Sequence, residues 1–281
     1  MTLHDIDEPA DPEGDGGLVR LRLDLAYDGT DFSGWAAQPG QRTVEATVAD
    51  ALRVVLRLAQ PARLTVAGRT DAGVHATGQV AHVDVPSSVD VDQLRRRLAG
   101  VLPADLVVTR LRVAPAGFDA RFAANGRRYL YRVCDGVGDP LRRRDTVSWP
   151  RPLDVEVMQR AADGLLGEQD FAAFCRPRAG ATTIRTLRRL DVTRDTQVVL
   201  VTAEADAFCH HQVRSMVGAL LAVGEGRRPV HWPRQVLLAG VRDSAVTVAP
   251  AHGLTLIGVD YPADDQLAER ARVARARRDE A

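Results

Sequence analysis

The sequence predicts an α+β fold in which a mainly antiparallel sheet is flanked by helices. Strands with alternating apolar and polar residues follow one another closely, as in hairpins, and amphipathic helices separate them. A similar strand–helix–strand–strand order also occurs twice along the chain. We therefore expect two pseudo-repeated halves, 18–115 and 116–262, with a cleft between them that would be the natural binding site.

The N-terminal half opens with the clearest strand of the chain. In VRLRLDLAY, residues 19–27, apolar and polar side chains alternate strictly, as on a strand with one buried face. Thr43 can cap a helix whose apolar residues from Val44 to Leu56 form one stripe. We expect further strands at 63–67, 79–85 and 106–113, and a helix at 90–99.

The C-terminal half repeats this order after a crossover near Pro115 to Asn125. A strand at 127–134 precedes a helix that is capped by Asp154 and extends to about Leu166. The remaining predicted elements are a hairpin of strands 184–194 and 197–205, helices at 210–223 and 233–239, and a strand at 254–260.

The two ends of the chain differ in composition from the body. Residues 1–17 hold six acids and no arginine, which predicts a disordered acidic arm, and 263–281 read as a charged tail, a frayed helix. The formal net charge is zero, yet setting both ends aside leaves 32 basic and 26 acidic residues. Every basic residue is arginine, a side chain suited to phosphate contacts, although codon bias also explains this usage. Composition therefore permits an RNA partner without proving one.

Composition also excludes several classes of protein. No stretch approaches the roughly 20 apolar residues of a membrane helix, and the acidic N-terminus resembles neither a signal nor a transit peptide. Cys134, Cys175 and Cys209 are odd in number, far apart and without a CxxC pair, so neither a disulfide framework nor a zinc ribbon is expected. We expect a cytoplasmic protein that does not bind membranes.

The most informative stretch is VAGRTDAGVHATGQVAH, residues 66–82. Gly68 and Gly73 bracket a short loop after a strand, and glycines let such a loop turn sharply and present Asp71 beyond the strand end. From the spacing alone, an Asx turn that merely reverses the chain is the favoured explanation of this aspartate.

Identity over the whole segment favours a functional interpretation. GRTDAGVHATGQV closely resembles the signature loop of the tRNA pseudouridine synthase A family, in which the aspartate is the catalytic nucleophile. Five further blocks resemble the family in the same order: LAYDGTDFSGW, FDARFAANGRRYLYRV, LLGEQDFAAF, AFCHHQVRSMVGALLAVG and GLTLIGVDYP. The resemblance covers about 18–262. One departure is Ala36-Ala37-Gln38 after Trp35, where the family usually has Gln directly.

The resemblance implies a role for five residues. Asp71 matches the nucleophile, and Arg214 matches the arginine that pairs with it, with Gly218 one turn on leaving room. Arg69 matches the arginine that enters RNA and helps displace the target base. Tyr129 matches the aromatic that stacks on the uracil and assists proton transfer, and Leu254 an apolar residue lining the base pocket. From periodicity alone, Arg214 reads as a surface residue, and Tyr129 and Leu254 as core residues.

The implied reaction isomerises uridines 38, 39 and 40 in the anticodon stem-loop of tRNA, and the resemblance implies a homodimer. Breaking the N1–C1′ bond and joining C5 to C1′ is redox-neutral, so no cofactor and no metal is expected. Asp71 could attack C1′ or C6. A base inside a stem must be flipped, at a cost of a few kcal/mol. His75, His210 and His211 lack a spacing that indicates zinc and are assigned to packing or polar support.

Two rival functions were weighed. AYDGT resembles the DxDGT loop of aspartate-based phosphohydrolases, but Ala26 stands where that loop needs its nucleophile. A non-catalytic RNA-binding protein on the same scaffold is the second rival, and the presence of Asp71, Arg214 and Tyr129 counts against it. The basic clusters 95–97, 127–128, 142–144 and 188–189 are either RNA contacts or solvated surface.

Overall fold

Ten strands and six helices lie within residues 17–176 and 182–279, which the computed structural model describes. The strands are β1 (Leu18–Tyr27), β2 (Thr65–Val66), β3 (His75–Pro86), β4 (Leu106–Val113), β5 (Gly126–Cys134), β6 (Val147–Ser148), β7 (Gly167–Asp170), β8 (Ile184–Asp195), β9 (Val198–Ala205) and β10 (Leu254–Asp260). The helices are α1 (Val44–Leu56), α2 (Val91–Val101), α3 (Val155–Asp163), α4 (Gln212–Gly224), α5 (Trp232–Ala239) and α6 (Leu267–Asp279).

One sheet contains all ten of these strands. Its order is β4–β1–β3–β10–β5–β9–β8–β7, with β2 added to β3 and β6 to β5. Only the β3–β10 and β5–β6 pairings are parallel, so the predicted α+β class with a mainly antiparallel sheet is confirmed. The two halves meet where β10, the last strand, lies between β3 and β5.

The alternation in β1 has the predicted consequence. Leu21, Leu23 and Leu25 are fully buried in the main core, and the intervening residues face the other side of the sheet. There, Arg20 pairs with Asp84 on β3 at 2.7 Å. A strand with this pattern is fixed in register because a one-residue slip would expose three leucines.

The helices begin where their caps predict. The Thr43 hydroxyl accepts a hydrogen bond from the amide of Ala46 at the start of α1, and Asp154 caps α3 in the same way. Helix α3 ends at Asp163, before Gly164, and is therefore shorter than predicted. Such caps pair backbone amides that would otherwise have no partner inside the helix.

Helix α4 is a core helix rather than an amphipathic one. Every residue from Gln212 to Gly224 is buried except Arg214. A Cβ at Gly218 would collide with the carbonyl of Thr247, so this glycine makes room for the 246–249 segment and not for the arginine side chain. The helix therefore presents a single partly exposed side chain, that of Arg214.

The end of the chain packs more closely than a charged tail would. Leu267 and Ala271 of α6 are buried in a second apolar cluster, which also contains Phe118 and Val80. In addition, Arg275 pairs with Asp119 at 2.6 Å. Because Leu267 and Ala271 are four residues apart, they lie on the same side of α6 and give this charge-rich helix one apolar face. The predicted acidic arm lies, apart from Gly17, outside the described residues.

Two of the three cysteines are brought together by the fold. Cys175 and Cys209 form a disulfide, with Cα atoms 5.8 Å apart, and Cys134 is free and buried. The linear spacing gave no indication of this pairing because a separation of 34 residues is bridged by the tertiary structure. Among the described residues, no helix combines the length and apolarity that crossing a membrane requires.

Candidate active site

The loop between β2 and β3 carries Asp71 and is held by the segment that follows β1. The Trp35 amide donates to the Thr70 carbonyl at 3.0 Å. Gly34 has a φ of +91°, and a Cβ there would lie 2.9 Å from that same carbonyl oxygen. Only glycine fits this position without strain, because it combines a left-handed φ with close backbone contact.

A network of buried polar side chains holds the same loop in place. The hydroxyls of Tyr27 and Thr70 lie 2.8 Å apart, and the Gln79 amide donates to the Gly68 carbonyl at 2.8 Å and to the Tyr27 hydroxyl at 3.2 Å. Burial raises the pKa of Tyr27 to about 12, against the lowering effect of these hydrogen bonds. The phenol therefore stays neutral at physiological pH and holds the loop as a donor and an acceptor.

Asp71 and Arg214 form an ion pair across 143 residues of sequence. Arg214 Nη1 donates to Asp71 Oδ2 at 3.1 Å, and Arg214 Nε donates to the Ala249 carbonyl at 2.8 Å. The Asp71 side chain is 25% exposed, so it can be reached from solvent. Among the described residues, the carboxylate accepts no hydrogen bond from its own loop. The geometry therefore does not support an Asx turn.

Two histidines for which the sequence predicts a role in packing or polar support also face this carboxylate. His210 Nε2 lies 3.3 Å from Asp71 Oδ1, and His211 Nε2 lies 3.6 Å from Oδ2. Burial lowers the pKa of His211, partly opposed by the Asp71 charge. The three side chains bring their ligand atoms within 4.8 Å of one another, so they could hold a metal ion. The only signal in the sequence was their position one turn before Arg214.

Tyr129 lies in the interior beside the carboxylate. Its ring contacts Phe208 edge-on, with centroids 5.4 Å apart, and only 8% of the residue is exposed. Burial raises the pKa of Tyr129, and the charge of Asp71 contributes to this shift. Tyr129 is therefore a neutral phenol at physiological pH. It can stack or donate a hydrogen bond, but it is not a ready proton acceptor.

Leu254 is buried, whereas Arg69 is exposed. Leu254 begins β10, is buried, and pairs with Tyr131, while Leu256 is the residue opposite Tyr129. Arg69 is exposed two residues before Asp71 and has no hydrogen bond or ion pair within the described part of the chain. Its guanidinium is thus available to a ligand, whereas Leu254 is part of the main hydrophobic core.

The basic clusters do not form one surface. Arg127 is buried and donates to three backbone carbonyls, including that of Ala67 at 2.7 Å, so it is structural. Arg144 pairs with Asp28 at 3.0 Å, and Arg142 with Asp145 at 2.6 Å. These arginines are occupied by the protein itself.

Comparisons with known proteins identify the family of this chain. Residues 161–262 match the family described as "tRNA pseudouridine synthase". The chain is 65% identical to tRNA pseudouridine synthase A of Frankia casuarinae over 92% of this chain and 96% of the relative. It is 56% identical to the Streptomyces griseus protein of that name, over 94% and 95%, and 52% identical to that of Mycobacterium leprae, over 92% and 94%.

Among solved structures, a chain of an H/ACA RNP bound to a substrate RNA containing 2′-deoxyuridine aligns with a TM-score of 0.32 and 11% identity, over 92% of this chain and 71% of that one. A score this low carries no argument. The relatives named above identify the family, because they match this chain along nearly its whole length and at more than half of the aligned positions. The chain belongs to the tRNA pseudouridine synthase A family.

Proposed function

We propose that this enzyme isomerises uridines 38, 39 and 40 of the tRNA anticodon stem-loop to pseudouridine, with Asp71 as the nucleophile. The observation that carries the proposal is the Asp71–Arg214 pair, 3.1 Å apart and a quarter open to solvent on the aspartate side. A neighbouring guanidinium fixes the orientation of a carboxylate, and a positioned carboxylate can act as a nucleophile.

In the proposed reaction, Asp71 forms a covalent adduct at C1′ or C6 of the target nucleotide. The N1–C1′ bond breaks, the uracil rotates, a C5–C1′ bond forms, and the bond to Asp71 breaks again so that the carboxylate is released. The proton leaves C5 and N1 gains one, so the overall change is an isomerisation without a cofactor. Because Tyr129 is a neutral buried phenol, we assign it to stacking on the uracil rather than to accepting the C5 proton.

Base flipping is the second part of the proposal. The target base must leave the stem, which costs a few kcal/mol. Arg69, exposed and without a partner among the described residues, is placed to enter the RNA and occupy the vacated stack. Leu254 and Tyr129 would then hold the extruded uracil between an apolar and an aromatic side chain.

The test is incubation with unmodified tRNA, followed by carbodiimide mapping of pseudouridine. We expect signals at 38, 39 and 40 wherever a uridine occurs there, and loss of each signal when that uridine is replaced by cytidine. Asp71→Asn is the matched control, and it should abolish all signals while retaining tRNA affinity. An unchanged map with folded wild-type protein and several tRNAs would falsify the assignment.

A non-catalytic RNA-binding role predicts the opposite result for that control, because Asp71→Asn would then leave function intact. The homodimer is a separate proposal that rests on the family resemblance alone. Light scattering of the purified chain should give twice the mass of one chain, and a monomeric mass at assay concentration would contradict it.

A further inference from the structure

We propose that Asp71, His210 and His211 form a binding site for a divalent transition-metal ion of the Zn²⁺ class, and that the bound ion blocks the active site. The ion is not a cofactor of the proposed isomerisation. Metal binding follows from the geometry of three side chains, whereas the blocking effect rests on the proposed role of Asp71 as nucleophile.

The spacing of the ligand atoms fits a tetrahedral ion. Zinc binds histidine nitrogen and carboxylate oxygen at roughly 2.0–2.2 Å, so two such ligands of a tetrahedral ion lie roughly 3.3–3.5 Å apart. His210 Nε2 is 3.3 Å from Asp71 Oδ1, and His211 Nε2 is 3.6 Å from Oδ2. These two distances run to different oxygens of one carboxylate, whereas one ligand atom from each of the three residues lies within 4.8 Å of the others, so side-chain rotation must draw the set together around an ion.

The ligand types select the class of ion. Two imidazole nitrogens and one carboxylate oxygen suit zinc and its neighbours in the first transition row. Magnesium and calcium prefer sites built from oxygen ligands, so we do not expect them here.

Arg214 fixes the orientation of the carboxylate. Its Nη1 holds Asp71 Oδ2, and its Nε is held by the Ala249 carbonyl, which leaves Oδ1 directed toward His210. A hydrogen-bonded carboxylate of this kind is the usual second-shell arrangement around zinc. The same guanidinium repels a cation, and only three protein ligands are present. Binding is therefore reversible and weaker than in four-ligand structural sites.

The backbone of His211 has an unusual conformation that serves this arrangement. Its φ is +69°, and its side chain makes no capping hydrogen bond to α4, although it occupies the N-cap position. Arg57 and Thr196, the other described non-glycine residues with positive φ, lie at a helix end and at a hairpin turn. His211 likewise lies at a helix end, and its ring nitrogen Nε2 lies 3.6 Å from Asp71 Oδ2.

An ion bound here would occupy the carboxylate that the proposed mechanism needs. It would lie on the solvent side, because the His210 side chain is 41% exposed, and a fourth position would remain open to water. The extruded base and the ion would then compete for the same space.

Titration of the full-length protein with Co²⁺ tests the binding directly. We expect the visible absorption band of four-coordinate cobalt, saturating at one ion per chain and displaced by Zn²⁺. Loss of a second-shell partner alone typically weakens metal binding 10–100-fold, so His210→Ala, His211→Ala and Asp71→Asn should each weaken it at least ~10-fold. His231→Ala removes another exposed histidine and should leave it unchanged.

Absence of the cobalt band in folded wild-type protein would overturn the site. Equal affinity in all four variants would also overturn it, because the ion would then lie elsewhere, for example at the cysteines. His210 is exposed, so its variant should fold even if that of His211 does not, and circular dichroism checks both.

The blocking effect has its own measurement. Zn²⁺ should inhibit pseudouridine formation in wild-type protein, with recovery on adding a chelator, and His210→Ala should require at least ~10-fold more Zn²⁺ for the same fractional inhibition. Cobalt binding without inhibition would overturn the blocking effect and leave the site. Cobalt binding by a wild-type protein that never modifies tRNA would instead contradict the proposed function.

Discussion

Two aspartates of this protein occupy similar surroundings and differ in one respect. Asp28 and Asp71 each lie in a glycine-containing loop, each pairs with an arginine more than 100 residues away, and each has a histidine within 3.3 Å. Asp28, however, also accepts two hydrogen bonds from Thr30, at 2.6 and 3.0 Å.

The difference separates a structural carboxylate from one that is open to a ligand. Asp28 has its oxygens occupied by Thr30 and Arg144, and it joins the N-terminal half to the 140–146 segment. Within residues 17–176 and 182–279, Asp71 accepts only from Arg214, and its Oδ1 has no donor closer than His210. A spare acceptor atom beside a fixed cation is what a nucleophile requires.

The largest expected effect is on turnover. Asp71→Asn should lower kcat for pseudouridine formation by at least about 10³-fold, the scale on which enzymes lose activity with their nucleophile. Asp28→Asn should lower it by less than about tenfold. Single-turnover assays with one tRNA measure both, and equal losses would remove the distinction between the two carboxylates.

The two arginines should differ in the same way. Arg214→Met should reduce kcat by about 100-fold, because it removes the cation that orients Asp71. Arg144→Met should mainly reduce stability, and only slightly, since an exposed ion pair contributes little. Kinetics and urea unfolding of both variants check this, and a larger kinetic defect in the Arg144 variant would contradict it.

Acid stability offers a third comparison. Partial burial raises the pKa of Asp28, but hydrogen bonds from Thr30 and Arg144 outweigh this effect and lower the pKa from 3.8 to about 2. A depressed folded-state pKa adds stability above the unfolded-state value, and this stability is lost as pH falls from about 4 toward 2. Asp28→Asn should flatten the unfolding free energy in that window. If the unfolding free energies of the wild-type protein and the variant fall in parallel over this pH range, Asp28 is not the group that causes the loss of stability.

The smallest expected effect concerns the support under the Asp71 loop. Tyr27→Phe removes the hydroxyl shared with Thr70 and Gln79, which should cost about 1 kcal/mol of unfolding free energy. The loop itself should be displaced slightly, with a severalfold decrease in kcat. Thr30→Val is the matched variant in the other loop and should reduce stability alone.

Much of the fold could be predicted because local patterns and tertiary packing agree. The alternation in β1, the cap at Thr43 and the turn at Asp195–Thr196 all lie where expected. Strand β3 begins at His75 and not at 79, because its first residues pair with β10, and no local pattern reveals such a partner. The sequence did not predict the short polar strand β7 either, because no local pattern reveals its pairing with β8.

The candidate site was predictable only in part. Asp71 and Arg214 came from resemblance to the family, and their 3.1 Å contact is a property of the fold. The sequence did not indicate a metal site at the two histidines, because they have no further metal ligand at a typical spacing along the chain. Their third partner lies about 140 residues away in the chain, so linear spacing could not identify it.

The position of β10 has a consequence for how the chain is made. The strand that joins the two halves of the sheet is nearly the last part of the body to leave the ribosome. Until then, the inner edges of β3 and β5 lack their partner, and unpaired strand edges invite aggregation. These two edges therefore stay exposed until β10 has been made, and C-terminal truncation into 254–260 should yield insoluble protein.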